Sequence, residues 1–84
     1  MTRKSEIEMP FVRDYGFLLV EKARAAKLSL AVKKKAGVEF DFETGELTAL
    51  HAALSLLEQQ AIAFGLSKDD VGLGGFSSDE LLRE

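Results

Sequence analysis

Between positions 47 and 64 the apolar residues Leu47, Leu50, Leu54, Leu57, Ala61 and Phe64 recur at alternating intervals of three and four. At about 100° of rotation per residue, this spacing places all six on one stripe of a helix, as in a seam packed against a second helix. Ala49, Ala53, Leu56, Ile62 and Ala63 widen the apolar surface, which predicts more than one neighbour. Thr44 suits an N-cap, Glu46 puts negative charge near the positive end of the helix dipole, and Gly65 suits the left-handed residue that ends a helix. The predicted helix spans 46–64.

An earlier apolar face, Leu19, Ala23, Ala26 and Leu30, is extended backward by Tyr15 and Val12. Pro10 fits the first turn, where its missing N–H costs nothing, and Gly16 weakens the helix by about 0.5–1 kcal/mol relative to alanine. The end of this element has two readings. In the first, the Ala-, Leu- and Lys-rich run continues to 36, the C-terminal dipole is neutralised by Lys33, Lys34 and Lys35, and Gly37 is the stop. In the second, Leu28, Leu30 and Val32 alternate with polar or small residues and pair across a turn with Val38, Phe40 and Phe42, a β-hairpin of 28–33 and 38–43. The continuous helix is favoured, because no Gly, Pro, Asn or Asp interrupts the chain between Phe17 and Ala36.

The predicted fold is therefore mainly α: an antiparallel helical hairpin with helices at about 12–36 and 46–64. An extended segment at 38–42 directs Val38, Phe40 and Phe42 into the core, a short C-terminal helical turn follows, and dimerisation completes the fold. The alternative is α+β, in the order helix, hairpin, helix. That order resembles small phage head-completion proteins, and the resemblance implies a structural joining role without assigning any residue.

Residues 1–65 read as one small helical domain and 66–84 as a glycine-containing tail or docking segment. "GLGGF" reads as a flexible link, and Ser77 and Glu80 have capping-box spacing ahead of Leu81 and Leu82.

Charge adds a polarity along the chain. Residues 1–36 carry nine Lys and Arg against four Asp and Glu, and residues 37–84 carry two against ten, a +5 half and a −8 half that give the net −3. Opposite halves attract, within one chain or between two. With 84 residues and no cysteine, the chain can draw on neither a large core nor disulfides, and oligomerisation is the expected supplement. No run of about twenty apolar residues and no signal-like start is present, so the expectation is a cytoplasmic protein that does not engage a membrane.

Candidate chemistry is sparse. His51 is the only histidine and has no HxxxH or HExxH partner, so no metal site is expected. No serine stands in GxSxG, "GLGG" lacks the lysine and hydroxyl of a phosphate loop, and Glu39, Asp41, Glu43, Asp69 and Asp70 read as solvated carboxylates. Neither catalytic residues, a cofactor nor a small-molecule substrate is expected. The expected function is a non-enzymatic protein–protein interaction or assembly module, a homodimeric helical adaptor joining another protein. Its expected interface is Leu47, Leu50, Leu54, Leu57, Ala61 and Phe64. The alternative is a small regulator whose basic half contacts nucleic acid through Lys33, Lys34 and Lys35.

Overall fold

The computed structural model describes residues 4–83, with side chains from Met9 onward. Two helices, α1 (Lys4–Ala36) and α2 (Asp41–Ala63), run antiparallel. Lys33 meets Glu43 beside the connecting turn, and Gly16 lies against Leu57 near the other end. No strand occurs among the described residues, so the hairpin at 28–33 and 38–43 does not form, nor does the order on which the phage resemblance rested. Helix propensity carries α1 through this stretch. Gly37 N–H then bonds the Lys34 carbonyl at 3.2 Å and Val38 N–H the Lys33 carbonyl at 3.2 Å, the double bond pattern that closes a helix.

Three boundaries differ from the sequence reading. α1 begins at Lys4, not about 12, so Pro10 lies inside the helix. α2 begins at Asp41, not 46. Thr44 is thus no cap: both its N–H and its hydroxyl donate to the Phe40 carbonyl, at 3.0 and 3.1 Å. The extended link shrinks to 38–40, and its aromatic residues do not fill the core. Val38 and Phe42 are exposed, and Phe40 is half-buried with the Lys34 ammonium 5.5 Å from its ring centroid.

The core is closed by the segment after Gly65. It turns through a short 3-10 stretch at Asp69–Val71, crosses α1, and ends in a second at Ser78–Leu82. Phe76, Leu73, Val71 and Leu81 are buried with Val20, Ala23, Leu54 and Ala61. Three of the four largest fully buried side chains, Phe76, Leu73 and Val71, come from this segment. Two glycines permit the crossing. A Cβ on Gly16 would stand 1.8 Å from the Val71 carbonyl oxygen, and one on Gly72 2.0 Å from the Arg13 carbonyl oxygen. Gly72 also has φ +78°, a conformation that costs other residues strain. Backbone therefore packs on backbone at this point.

Polar contacts pin the segment on both sides. Arg24 bonds Glu80 at 2.7 Å and lies 5.6 Å from the Phe76 ring centroid, and Lys27 donates to the Glu80 carbonyl. From α2, Glu58 accepts the Ser78 N–H at 3.2 Å and pairs with Lys68 at 3.6 Å. Arg24–Glu80 and Lys33–Glu43 both join the basic half of the chain to the acidic half. Hydrogen bonding from Lys33 holds the Glu43 carboxyl below its ordinary range, and hydrogen bonding from Arg24 does the same for Glu80.

Depressed folded-state values stabilise the fold above the ordinary glutamate range, and that contribution is lost as pH falls through them. Melting curves taken at successively lower pH are expected to show a falling midpoint, and Glu80→Gln to flatten part of the fall. Identical pH profiles for Glu80→Gln and the parent would show that this pair adds nothing.

The radius of gyration is 15.0 Å, against about 12 Å for a compact chain of this length, and the extents are 54 × 25 × 18 Å. The molecule is a thin slab: two helices with a third layer on one side. Among the described residues, no helix is long and apolar enough to cross a membrane.

Candidate functional site

The docked segment defines the two sides of the slab. On α1 it meets Arg13, Gly16, Arg24 and Lys27; on α2 it meets Ser55 and Glu58. Residues turned more than about 100° from the mean direction of these contacts lie toward the opposite side. On α1 they are Phe11, Leu18, Ala25 and Val32, each seven after the last; on α2 they are Phe42, Ala49, Leu56 and Ala63, again seven apart. Seven residues turn a helix about 20° short of two full turns, so each set forms one continuous stripe. All eight are exposed, with Phe11 at 67% and Phe42 at 75%. Tyr15 joins the α1 stripe, its ring stacked 6.2 Å from that of Phe11.

Phe11, Tyr15 and Phe42 alone leave on the order of 400 Å² of aromatic surface in water, divided between the two ends of this face: Phe11 and Tyr15 near the start of α1, and Phe42 beside the turn. The lateral charges differ between the helices. α1 carries eight Lys and Arg against four Asp and Glu, a net +4; α2 carries four acidic residues and no basic one, a net −4.

The predicted seam lies elsewhere. Leu54 and Ala61 are buried within the chain, Leu47, Leu50 and Leu57 pack against the same core, and Phe64, just past the end of α2, is exposed. Most of the seam is thus covered by α1 and the docked segment. The outward stripes were readable in the sequence as seven-residue repeats, but the larger leucine set masked them. Val71, Leu73 and Phe76 carried little signal, because glycines break any periodicity around them.

The three lysines of the basic run divide between two places. Lys33 bonds Glu43 at 2.6 Å, whereas Lys34, whose ammonium lies over the Phe40 ring, and Lys35 line one groove with Lys27 and Arg83. Successive residues of a helix point about 100° apart, which separates Lys33 from the other two.

Among the described residues, two surface hollows stand out. One, of about 460 Å³, lies between Pro10, Arg13, Asp14 and Phe17 of α1 and Asp69, Gly72 and Gly74. The other, of about 600 Å³, lies where α1, α2 and residues 81–83 meet. His51 lines neither. Among the described residues, no group of three or more His, Cys, Asp or Glu is placed to hold a metal ion. No family model, curated protein or solved structure matches this chain.

Proposed function

We propose that this protein is a homodimeric helical assembly module in which the open face of the slab packs on the same face of a second copy. The observation that carries the reading is the pair of seven-residue apolar stripes, one on each helix, both turned away from the docked segment. A seven-residue apolar repeat supplies one of the two apolar positions of a coiled-coil heptad and keeps that position on one side of the helix. The area is also suitable. A face two helices wide, about 20 Å, and as long as α2, about 34 Å, offers about 700 Å², close to the ~800 Å² each partner contributes to a standard interface.

Charge selects the arrangement. With the twofold axis parallel to the helices, each positive α1 lies antiparallel to the partner's negative α2, and the result is a four-helix bundle whose adjacent helices are all antiparallel. An axis perpendicular to the helices would instead set α1 on α1 and α2 on α2, like charge against like.

Sedimentation equilibrium tests the reading. The parent is expected to be a dimer at micromolar concentration, and Leu18→Asp and Leu56→Asp are expected to be monomers. Both residues are more than half exposed in the isolated chain, so both variants keep the parent's helical circular dichroism. A parent that stays monomeric at ten times that concentration, or variants that remain dimeric, would sink the proposal.

A further inference from the structure

The groove of about 600 Å³ on the side of the docked segment has a floor of Leu30, Ala31, Leu47, Leu81 and Leu82 and a rim of Lys27, Lys34, Lys35 and Arg83. We propose that it is a docking site for an acidic, leucine-bearing helical segment of a partner protein. Four cations with no carboxylate among the described lining residues are a local reversal of charge in a chain whose net charge is −3. Two carboxylates of neighbouring elements are engaged elsewhere: Glu80 bonds Arg24, and Glu43 bonds Lys33. Lys27 spends one of its three donors on the Glu80 carbonyl and keeps the others for a ligand.

Spacing favours a peptide over a single anionic headgroup. Lys27 and Lys34 are two helical turns apart, about 10 Å along α1, and Arg83 stands on the wall contributed by the docked segment. One phosphate or carboxylate reaches one of these positions, whereas carboxylates on successive turns of a helix reach several. The apolar floor supplies what charge alone does not. Leu82, on this floor, is 67% exposed, and an apolar helix face laid there covers it. The groove is on the opposite side from the open face described above, so its occupancy does not require self-association.

The test uses the full chain and three fluorescein-labelled helical peptides read by anisotropy. The first has leucines at i, i+3, i+4 and i+7 with glutamates elsewhere, the second replaces the glutamates by lysine, and the third replaces the leucines by alanine. The first is expected to bind, more weakly as salt rises, and the second not at all. The third, as well as the Lys34→Glu/Lys35→Glu and Leu82→Asp proteins with the first peptide, is expected to lose at least about tenfold in affinity.

The substituted side chains are exposed, so thermal melting is expected to be unchanged, which checks that the fold is kept. No binding of the first peptide, or equal binding of the alanine peptide, overturns the proposal. So does cosedimentation with phosphatidylserine vesicles that Leu82→Asp and the lysine substitutions abolish while the peptide fails to bind, since it assigns the groove to a membrane surface. The measurement repeated on Leu56→Asp separates the two readings: peptide binding that persists in a monomer stands without the dimer, and a dimer that binds no peptide stands without the groove.

Discussion

Replacing Gly16 by alanine is expected to destabilise the protein by about 2 kcal/mol, although alanine is the better helix former by about 0.5–1 kcal/mol. The new Cβ would lie 1.8 Å from the Val71 carbonyl oxygen and 2.9 Å from its carbon. Neither atom belongs to a flexible side-chain end, so relief requires moving the backbone of the docked segment. That movement disturbs Val71 and Leu73, both buried in the core. Gly45 is the control. It lies within α2 with nothing within 4 Å of its Cβ position, so Gly45→Ala is expected to stabilise by about 0.5–1 kcal/mol. Urea unfolding of both variants measures the pair. Stabilisation by both would mean that the segment does not cross α1 at Gly16.

The largest loss is expected for Phe76→Ala, about 3–5 kcal/mol. Phe76 is 2% exposed and packs where α1, α2 and the docked segment meet, with the Arg24 guanidinium over its ring. Small domains hold about 5–15 kcal/mol in total, and a thin slab of 84 residues belongs at the lower end. The variant is therefore expected to lose most of its cooperative unfolding transition while the helices retain part of their circular dichroism. Phe76→Leu keeps most of the volume and is expected to cost far less. A Phe76→Ala chain within 1 kcal/mol of the parent would remove residues 66–83 from the core.

Both expectations concern positions whose sequence neighbourhood suggests something milder. Gly16 reads as a weak point in a helix, and "GLGGF" as a link. Each is needed because the other is there: the small residue on α1 leaves room for the turn that carries Phe76 inward. Such a pairing joins residues more than fifty positions apart, and no local pattern records it.

The interaction surface shows the same division. Six apolar residues at helical spacing identified α2, yet spacing alone does not say which of its apolar stripes the chain covers by itself. The docked segment decides that by lying on one side of the hairpin, which leaves Phe42, Ala49, Leu56 and Ala63 outward. The start of α2 was obscured for a different reason. Val38, Phe40 and Phe42 alternate as a strand would, and Gly45 looks like a boundary, but a single strand with no partner cannot satisfy its backbone, whereas a helix begun at Asp41 pairs its own groups beyond the first turn.

What the sequence by itself determined is the pair of helices, their antiparallel turn at Gly37 and the opposite charges they carry, because periodicity, propensity and helix closure act over a few neighbouring residues. Only the tertiary structure decided which faces are inside. Burial depends on what arrives from the far end of the chain, and here a glycine-rich segment supplies most of the largest buried side chains.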